Sequence, residues 1–331
     1  MIYLRFFDGY ISESEMDDES SKLVDCGIAL LEKSDSKKYV VVNEPLAIET
    51  VNTILVSQYE RPDDALLQKL IAELKQNASY NEKSNTAKGI TWQYFAEAGL
   101  MKFNNKTVAE FVKTIYNDEI FCVEKNTKKL KKTNLPAWTS NAIVNIESYG
   151  NLNVFCWKFK KEFNDDVDII SKLLREPANR KYMISPAPVM HPDGIYIGNS
   201  ISGIDDYWTL IINAKMYSSF LSGKAINKDK RITNWDYIYY EDNEDQTKEE
   251  RKTNPLKKRV LREKFDTACE KYNHHGSLRI HFVLPGLANS NDNSDRGGCR
   301  VEENDIIMYI NQALLDKFFP KQYVDVIDTI L

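Results

Sequence analysis

The segment YWTLIIN at 207–213 constrains the fold of this chain more than any other part of the sequence. It is an almost continuous run of apolar, aromatic and β-branched side chains, which is typical of a central strand that is buried in a sheet. The run ends in Asn213-Ala214-Lys215. The sequence therefore predicts a buried strand that delivers an amide and an ammonium group at its end.

The segments around this strand alternate between strand and helix patterns, which predicts an α/β fold: a mixed β-sheet flanked by helices. The clearest amphipathic helix is DDALLQKLIAELKQ at 63–76. Further helices are predicted at about 89–100, 166–175, 216–223, 257–272 and 312–318. Strands are predicted at 120–123, 142–146, 153–157, 194–198, 207–213, 278–284 and 305–311.

The first sixty residues have a different pattern. Apolar side chains fall on one helical face over 19–33, a short strand is predicted at 38–42, and Pro45 opens a second helix over 46–57. This order predicts a small winged-helix-like unit at 1–62, followed by the main domain at 63–331. The alternative is that the first segment packs directly on the main domain.

Composition narrows the class of protein. The chain is 42% hydrophobic and 28% charged, which is globular composition. Its net charge of −5 argues against a wholly basic nucleic-acid coat but is compatible with a local basic groove. Five scattered cysteines without a C-x-x-C motif favour reduced thiols. We expect no secretory signal and no membrane partner, because neither a signal pattern nor a bilayer-length apolar run is present.

The residues that could carry chemistry lie around the predicted central strand. Asn213 and Lys215 are two apart, so they face the same side of a strand. Asp193 opens the strand predicted at 194–198 and reaches that side if the two strands are neighbours. A carboxylate, a second oxygen ligand and a lysine would then converge, which suits Mg²⁺ and activation of a water. The alternative, a Pro-Asp turn and a solvated Asn-x-Lys strand end, is favoured on spacing alone.

Basic residues form a cluster at the start of the predicted helix near this site. Lys257, Lys258, Arg259 and Arg262 are predicted to contact nucleic-acid phosphates, while a solvated helix face is the alternative. His281 lies in an apolar run and matches no zinc spacing, so we expect it to pack and hydrogen-bond.

Several segments resemble one protein family. They are KYVVVNEPLAIETVNTIL (38–55), NTAKGITWQYFAEAGL (85–100), the strands that begin at Asp193 and end at Asn213-x-Lys215, LRIHFVLPGL (278–287) and DIIMYINQALLDKFFPKQYVDVID (305–328). Together they resemble the C-terminal region of Crinkler-type effector proteins, whose larger members join an NTPase to a PD-(D/E)XK nuclease-like domain. The resemblance implies a restriction-endonuclease-like fold over 63–331.

The resemblance also implies roles for individual residues. Asp193 matches the acidic residue after proline, Asn213 and Lys215 match the Glu/Gln-x-Lys pair, and Gln93, with Glu97 one turn further, stands where the first helix often presents a glutamate. Asn213 replaces the usual acid or glutamine, and Gln93 replaces the usual glutamate; both are oxygen donors, but both are neutral. The site would then hold metal weakly, use Glu97, or be inactive and retained for DNA binding.

From the resemblance we expect Mg²⁺ or Mn²⁺ at Asp193 and Asn213, DNA as a partner, and action in the nucleus, with the cytoplasm as the other compartment. This sequence lacks G-x-x-x-x-G-K-[ST], so the NTPase half that the resemblance implies is either lost or lies on another protein. Two hypotheses follow. One is a metal-dependent DNA phosphodiesterase, and the other is a catalytically inactive nuclease-fold module that binds DNA or a host protein.

Overall fold

The segment at 207–213 lies inside a longer strand, Asp206–Met216, whose side chains are buried at all but its two ends. This strand belongs to a computed structural model that describes residues 11–12, 29–34, 37–42, 71, 85–117, 119–124, 129–146, 166–181, 183–184, 186, 192–200, 203–216, 233–238, 255–286 and 298–330.

The described elements are as follows in chain order. The strands are β1 (Ile11–Ser12), β2 (Ala29–Ser34), β3 (Lys37–Val42), β4 (Ile120–Val123), β5 (Leu130–Lys132), β6 (Met183–Ile184), β7 (Gly194–Asn199), β8 (Asp206–Met216), β9 (Asn273–Leu284), β10 (Cys299–Glu302) and β11 (Asp305–Ile310). The helices are α1 (Asn85–Leu100), α2 (Val108–Tyr116), α3 (Asp166–Arg175), α4 (Pro255–Cys269), α5 (Leu315–Phe318) and α6 (Lys321–Ile330).

Eight of the strands form one mixed sheet in the order β5-β4-β10-β11-β9-β8-β7-β6. Strands β6, β7 and β8 form an antiparallel meander. The chain then passes through α4 and returns as β9, which is parallel to both β8 and β11. The predicted mixed sheet flanked by helices is confirmed.

The two faces of this sheet are chemically different. Leu210, Ile212 and Ala214 of β8 point to one face, where α1, α2, α5 and α6 pack in a large apolar core. We call this the aromatic face, because its core includes Trp92, Phe95, Phe282, Phe318 and Phe319. The alternate residues of β8 point to the opposite face, which we call the polar face. Helices α3 and α4 cover the polar face over β7 and β8.

Helix α3 and its C-terminal turn show how local sequence builds this scaffold. Acidic side chains occupy its first turn and basic ones its last, which suits the helix dipole. The buried guanidinium of Arg180 then donates hydrogen bonds to the carbonyl groups of Leu173, Leu174, Ile204 and Asp206. These bonds tie the end of α3 to the turn before β8.

Two predicted elements are wrong. Residues 29–33, predicted as part of a helix, lie in β2, which pairs antiparallel with β3. A short apolar run has no decisive period, and the β-branched residues of β3 favoured the strand pair. Residues 142–146 do not join the large sheet. They alternate between buried and exposed as a strand would, but the backbone of Ala142 and Val144 bonds to the turn before α2.

Other predictions lie outside the described residues: the helix at 46–57, the helix at 63–76 except Ile71, the strand at 153–157 and the helix at 216–223 except Met216, which is still strand. The winged-helix-like unit and the boundary at 62 stay predictions; β1, β2 and β3 form a separate antiparallel sheet. Within the described ranges, no helix is both long enough and apolar enough to cross a bilayer.

Candidate functional site

Asp193 and Lys215 meet where β7 begins beside the end of β8. Nζ of Lys215 lies 3.4 Å from Oδ2 of Asp193, and the backbone N–H of Ala214 donates to the same oxygen over 2.7 Å. The first paired residue of β7, Gly194, lies opposite Ile212 of β8. Asp193 directly precedes it, so its carboxylate continues the edge of the strand pair next to Ala214. The structure thus brings together the aspartate and the lysine that the sequence predicted.

The environment of Asp193 favours the protonated carboxyl group. Burial raises the pKa of Asp193 above its ordinary value, while the positive charge of Lys215 and the hydrogen bond from Ala214 act in the opposite direction. The desolvation effect is the largest of these, even though the side chain keeps 20% of its surface exposed. A carboxyl group with a raised pKa in a partly open position is suited to exchange protons.

Asn213 is buried on the polar face with neither amide atom hydrogen-bonded to any residue that the structure describes. An unsatisfied buried amide costs about 1–3 kcal/mol, so such a group calls for a water, an ion or a ligand. Lys215 is two residues further along β8 and shares this face. Asn213 is therefore positioned beside the Asp193–Lys215 pair, but its partner is not one of the described protein groups.

A row of polar residues extends from Asn213 across the sheet. His281 of β9 is its register neighbour, and Tyr309 of β11 is the next one. The rings of His281 and Tyr309 are stacked 4.9 Å apart. The Thr233 hydroxyl oxygen lies 3.2 Å from Nε2 of His281 and accepts a hydrogen bond from Arg279. The row could not be predicted, because the sequence does not reveal that β9 pairs beside β8.

Gln93 and Glu97 approach the site from α1, on the aromatic face. Nε2 of Gln93 donates to the main-chain oxygen of Asp193 over 2.6 Å and to Oε1 of Glu97 over 3.0 Å. Glu97 is buried against Gly194: a Cβ atom at that glycine would lie 2.8 Å from Oε1 of Glu97. The sheet separates this pair from Asn213. Gln93 therefore holds the backbone of Asp193, while Glu97 lies on the other side of the strands from the amide.

These donors can be tested against the divalent cation that the resemblance implies. Oδ1 of Asp193 and Oδ1 of Asn213 accept no hydrogen bond from the described residues, so two hard oxygen donors are available. Among the residues that the structure describes, no group of three His, Cys, Asp or Glu side chains is placed so that it could hold a metal ion. Mg²⁺ usually keeps several waters and binds one or two carboxylates. The residues fit a weakly held, largely hydrated cation and not a closed protein cage.

The predicted phosphate contacts on α4 are largely neutralised. Arg259 pairs with Glu263 at 3.1 Å, and Arg262 pairs with Asp266 at 2.6 Å. Arg262 also donates to the carbonyl of Ile238. The side chains of Lys257 and Lys258 lie outside the described residues. The two arginines of this cluster therefore have acidic partners one helical turn away. The prediction of phosphate contacts did not take these partners into account.

Comparison with protein-family models, with curated proteins and with solved structures found no match for this chain.

Proposed function

We propose that the chain is a nuclease-like protein that binds nucleic acid and hydrolyses its phosphodiester bonds at Asp193 and Lys215. The observation that carries this proposal is the 3.4 Å contact between the two side chains at a strand end, beside the unsatisfied amide of Asn213. A buried strand that delivers these groups to a partly open position has the chemistry of a phosphate site.

The finer fold assignment, a restriction-endonuclease-like domain related to Crinkler-type effectors, is part of the same proposal. Its support is the order of the elements around the site. Helix α1 comes first, then the meander of β6, β7 and β8, then α4 and the parallel strand β9. Asp193 precedes the second strand of the meander, and Asn213-Ala214-Lys215 lies near the end of the third. This arrangement is compatible with the resemblance that the sequence carries.

The residues divide the reaction between them. The Lys215 ammonium binds a phosphate oxygen and orients a water, whose oxygen forms the new bond to phosphorus as the bond to the ester oxygen breaks. The proton that the water gives up passes through solvent to the leaving ester oxygen. Asp193 and Asn213 would hold a divalent cation, which would offset the negative charge that develops on the phosphate. Gln93 fixes the main chain of Asp193, so that the carboxylate keeps its place beside Lys215.

Nicking of supercoiled plasmid tests the proposal. Purified protein with Mg²⁺ or Mn²⁺ is expected to convert supercoiled to open-circular DNA, and chelation with EDTA is expected to stop the reaction. Asp193→Ala and Lys215→Ala are each expected to lower the rate at least about 100-fold, as for loss of an acid–base or charge-stabilising group. Asp325→Ala, an exposed change on α6, serves as the control. Equal rates for wild type and both site variants would exclude this catalytic role.

A second candidate is a module that binds DNA without cutting it. Neutral side chains at Asn213 and Gln93 favour it, as does the raised pKa of Asp193, because all three reduce the negative charge that would hold a metal. This candidate predicts DNA binding of equal strength in EDTA and in Mg²⁺, with no nicking. A protein partner that carries an NTPase, and action in the nucleus, remain proposals that rest on the resemblance alone.

A further inference from the structure

Two lysines that are close in the sequence and a third that lies 215 residues beyond the first come together at the outer surface of the aromatic face. Lys102 follows α1, Lys106 precedes α2, and Lys317 lies in α5. Nζ of Lys102 donates to the main-chain oxygen of Lys317 over 2.8 Å, and Nζ of Lys106 lies 5.4 Å from the ring centroid of Phe103. Lys102 and Lys317 are exposed, and Lys106 is half-buried. We call these three residues the lysine patch.

The positive charges of Lys106 and Lys317 act on the ammonium group of Lys102. The pKa of Lys102 is lowered by burial first and by the positive charges of Lys106 and Lys317, while Asp316 opposes them. The carboxylate of Glu110 accepts hydrogen bonds from the backbone N–H and hydroxyl of Thr107 in the cap of α2, and it also interacts electrostatically with Lys106. None of the three lysines forms an ion pair with a residue in the described ranges.

This patch contrasts with the arginines of α4. Arg259 and Arg262 each have an acidic partner one turn away, whereas the three lysines of the patch form no ion pair with the described residues of a chain whose net charge is −5. Like charges that are held close together repel, and a bound polyanion relieves that repulsion. Main-chain and aromatic contacts also fix two of the ammonium groups in advance, which lowers the entropic cost of binding.

We propose that the lysine patch of Lys102, Lys106 and Lys317 binds the phosphate backbone of the nucleic acid that the Asp193–Lys215 site acts on. The proposal rests on the proposed function for the identity of the polyanion. Helix α1 connects the two regions: Gln93 contacts Asp193, and Lys102 follows the end of the same helix. At a rise of 1.5 Å per residue, Lys102 lies roughly 14 Å from Gln93 along the axis of α1, and this distance corresponds to a few nucleotides.

The test measures the salt dependence of binding to a fluorescent DNA duplex by anisotropy, without divalent metal. Each phosphate contact contributes about 0.9 to the slope of log affinity against log salt. The triple variant Lys102→Gln, Lys106→Gln, Lys317→Gln is expected to make the slope shallower by about 2 to 3. The charge-preserving triple Lys→Arg variant at the same positions is expected to keep the wild-type slope, which separates charge from folding.

A matched control removes the same charge elsewhere. Lys131, Lys132 and Lys271 are exposed and outside the patch, and their change to Gln should leave the slope close to that of the wild type. If the patch and control variants lower the slope equally while Lys215→Ala abolishes nicking, the patch proposal is wrong and the proposed function stands. If the wild-type protein binds no duplex or single-stranded DNA at all, both proposals fail together.

Discussion

The central strand β8 contributes different kinds of side chain to the aromatic face and to the polar face of the sheet. On the aromatic face, Trp92, Phe282 and Phe318 form edge-to-face ring pairs, and β8 contributes only apolar side chains to that core. On the polar face, β8 presents an amide with no hydrogen-bond partner among the described residues and a half-buried ammonium group that contacts Asp193. Apolar side chains pack on both faces, including Ile211 of β8 on the polar face, but the buried polar side chains of β8 lie on the polar face alone.

The largest expected effect comes from the aromatic face. Phe282→Ala removes a fully buried ring that contacts Trp92 and Phe318. The free energy of unfolding is expected to fall by about 3–5 kcal/mol, because both transfer energy and packing are lost. Urea denaturation of wild type, Phe282→Leu and Phe282→Ala measures it. A loss below about 1 kcal/mol for the alanine variant would mean that this face does not carry the stability.

A somewhat smaller loss is expected at the edge of the polar face. Arg180→Met leaves four carbonyl groups without the guanidinium that bonds to them, and should lower the free energy of unfolding by about 3 kcal/mol. Arg180→Lys should recover only part of this, because one ammonium cannot reach all four oxygens. Full recovery by lysine in thermal or urea unfolding would show that the charge matters and the fork geometry does not.

The opposite sign is expected at Asn213. Asn213→Leu replaces an unsatisfied buried amide with an apolar side chain of similar size, so the free energy of unfolding should rise by about 1–2 kcal/mol. DNA nicking should be lost at the same time, since a site residue is removed. Ile211→Leu, a buried neighbour on the same face, is the control. A strong loss of stability in Asn213→Leu would show that the amide has a structural partner.

The smallest effect is expected from the titration of Asp193, because Lys215 and Ala214 oppose the influence of burial. Its pKa is raised in the folded protein, so the folded state binds the proton more tightly than the unfolded state. Wild-type stability therefore falls as the pH rises from the unfolded pKa through the folded pKa, and the loss persists above it. Asp193→Asn does not titrate, so its stability relative to wild type should increase over this window.

Urea denaturation of both proteins between about pH 3 and about pH 7 measures the difference, in which all other titrating groups cancel. A relative stability of Asp193→Asn that decreases as the pH rises would show that the pairing with Lys215 outweighs burial.

Much of the fold followed from local pattern. The strand at 207–213 and the helix Asp166–Arg175 were predicted because burial and amphipathic spacing are encoded within each segment. Residues 29–33 were predicted wrongly, since a short apolar run is decided by its pairing partner and not by its own period.

For the site, the alternation of side chains along a strand was enough to place Asn213 and Lys215 on one face. The order of the strands along the sequence was enough to predict that Asp193 lies near them. The face that α1 covers, and hence the separation of Glu97 from Asn213, depends on packing between distant segments. The same is true of the lysine patch, whose members are up to 215 residues apart.

Titration of Mn²⁺ followed by electron paramagnetic resonance tests most directly whether Asp193 and Asn213 hold the divalent cation on which the proposed phosphodiester hydrolysis depends. The account predicts that the wild-type protein binds a single Mn²⁺, that Asp193→Asn loses it, and that Asn213→Asp binds it more tightly because a second carboxylate is added beside Lys215. Equal binding by wild type and Asp193→Asn, or no binding by wild type and Asn213→Asp alike, would contradict it.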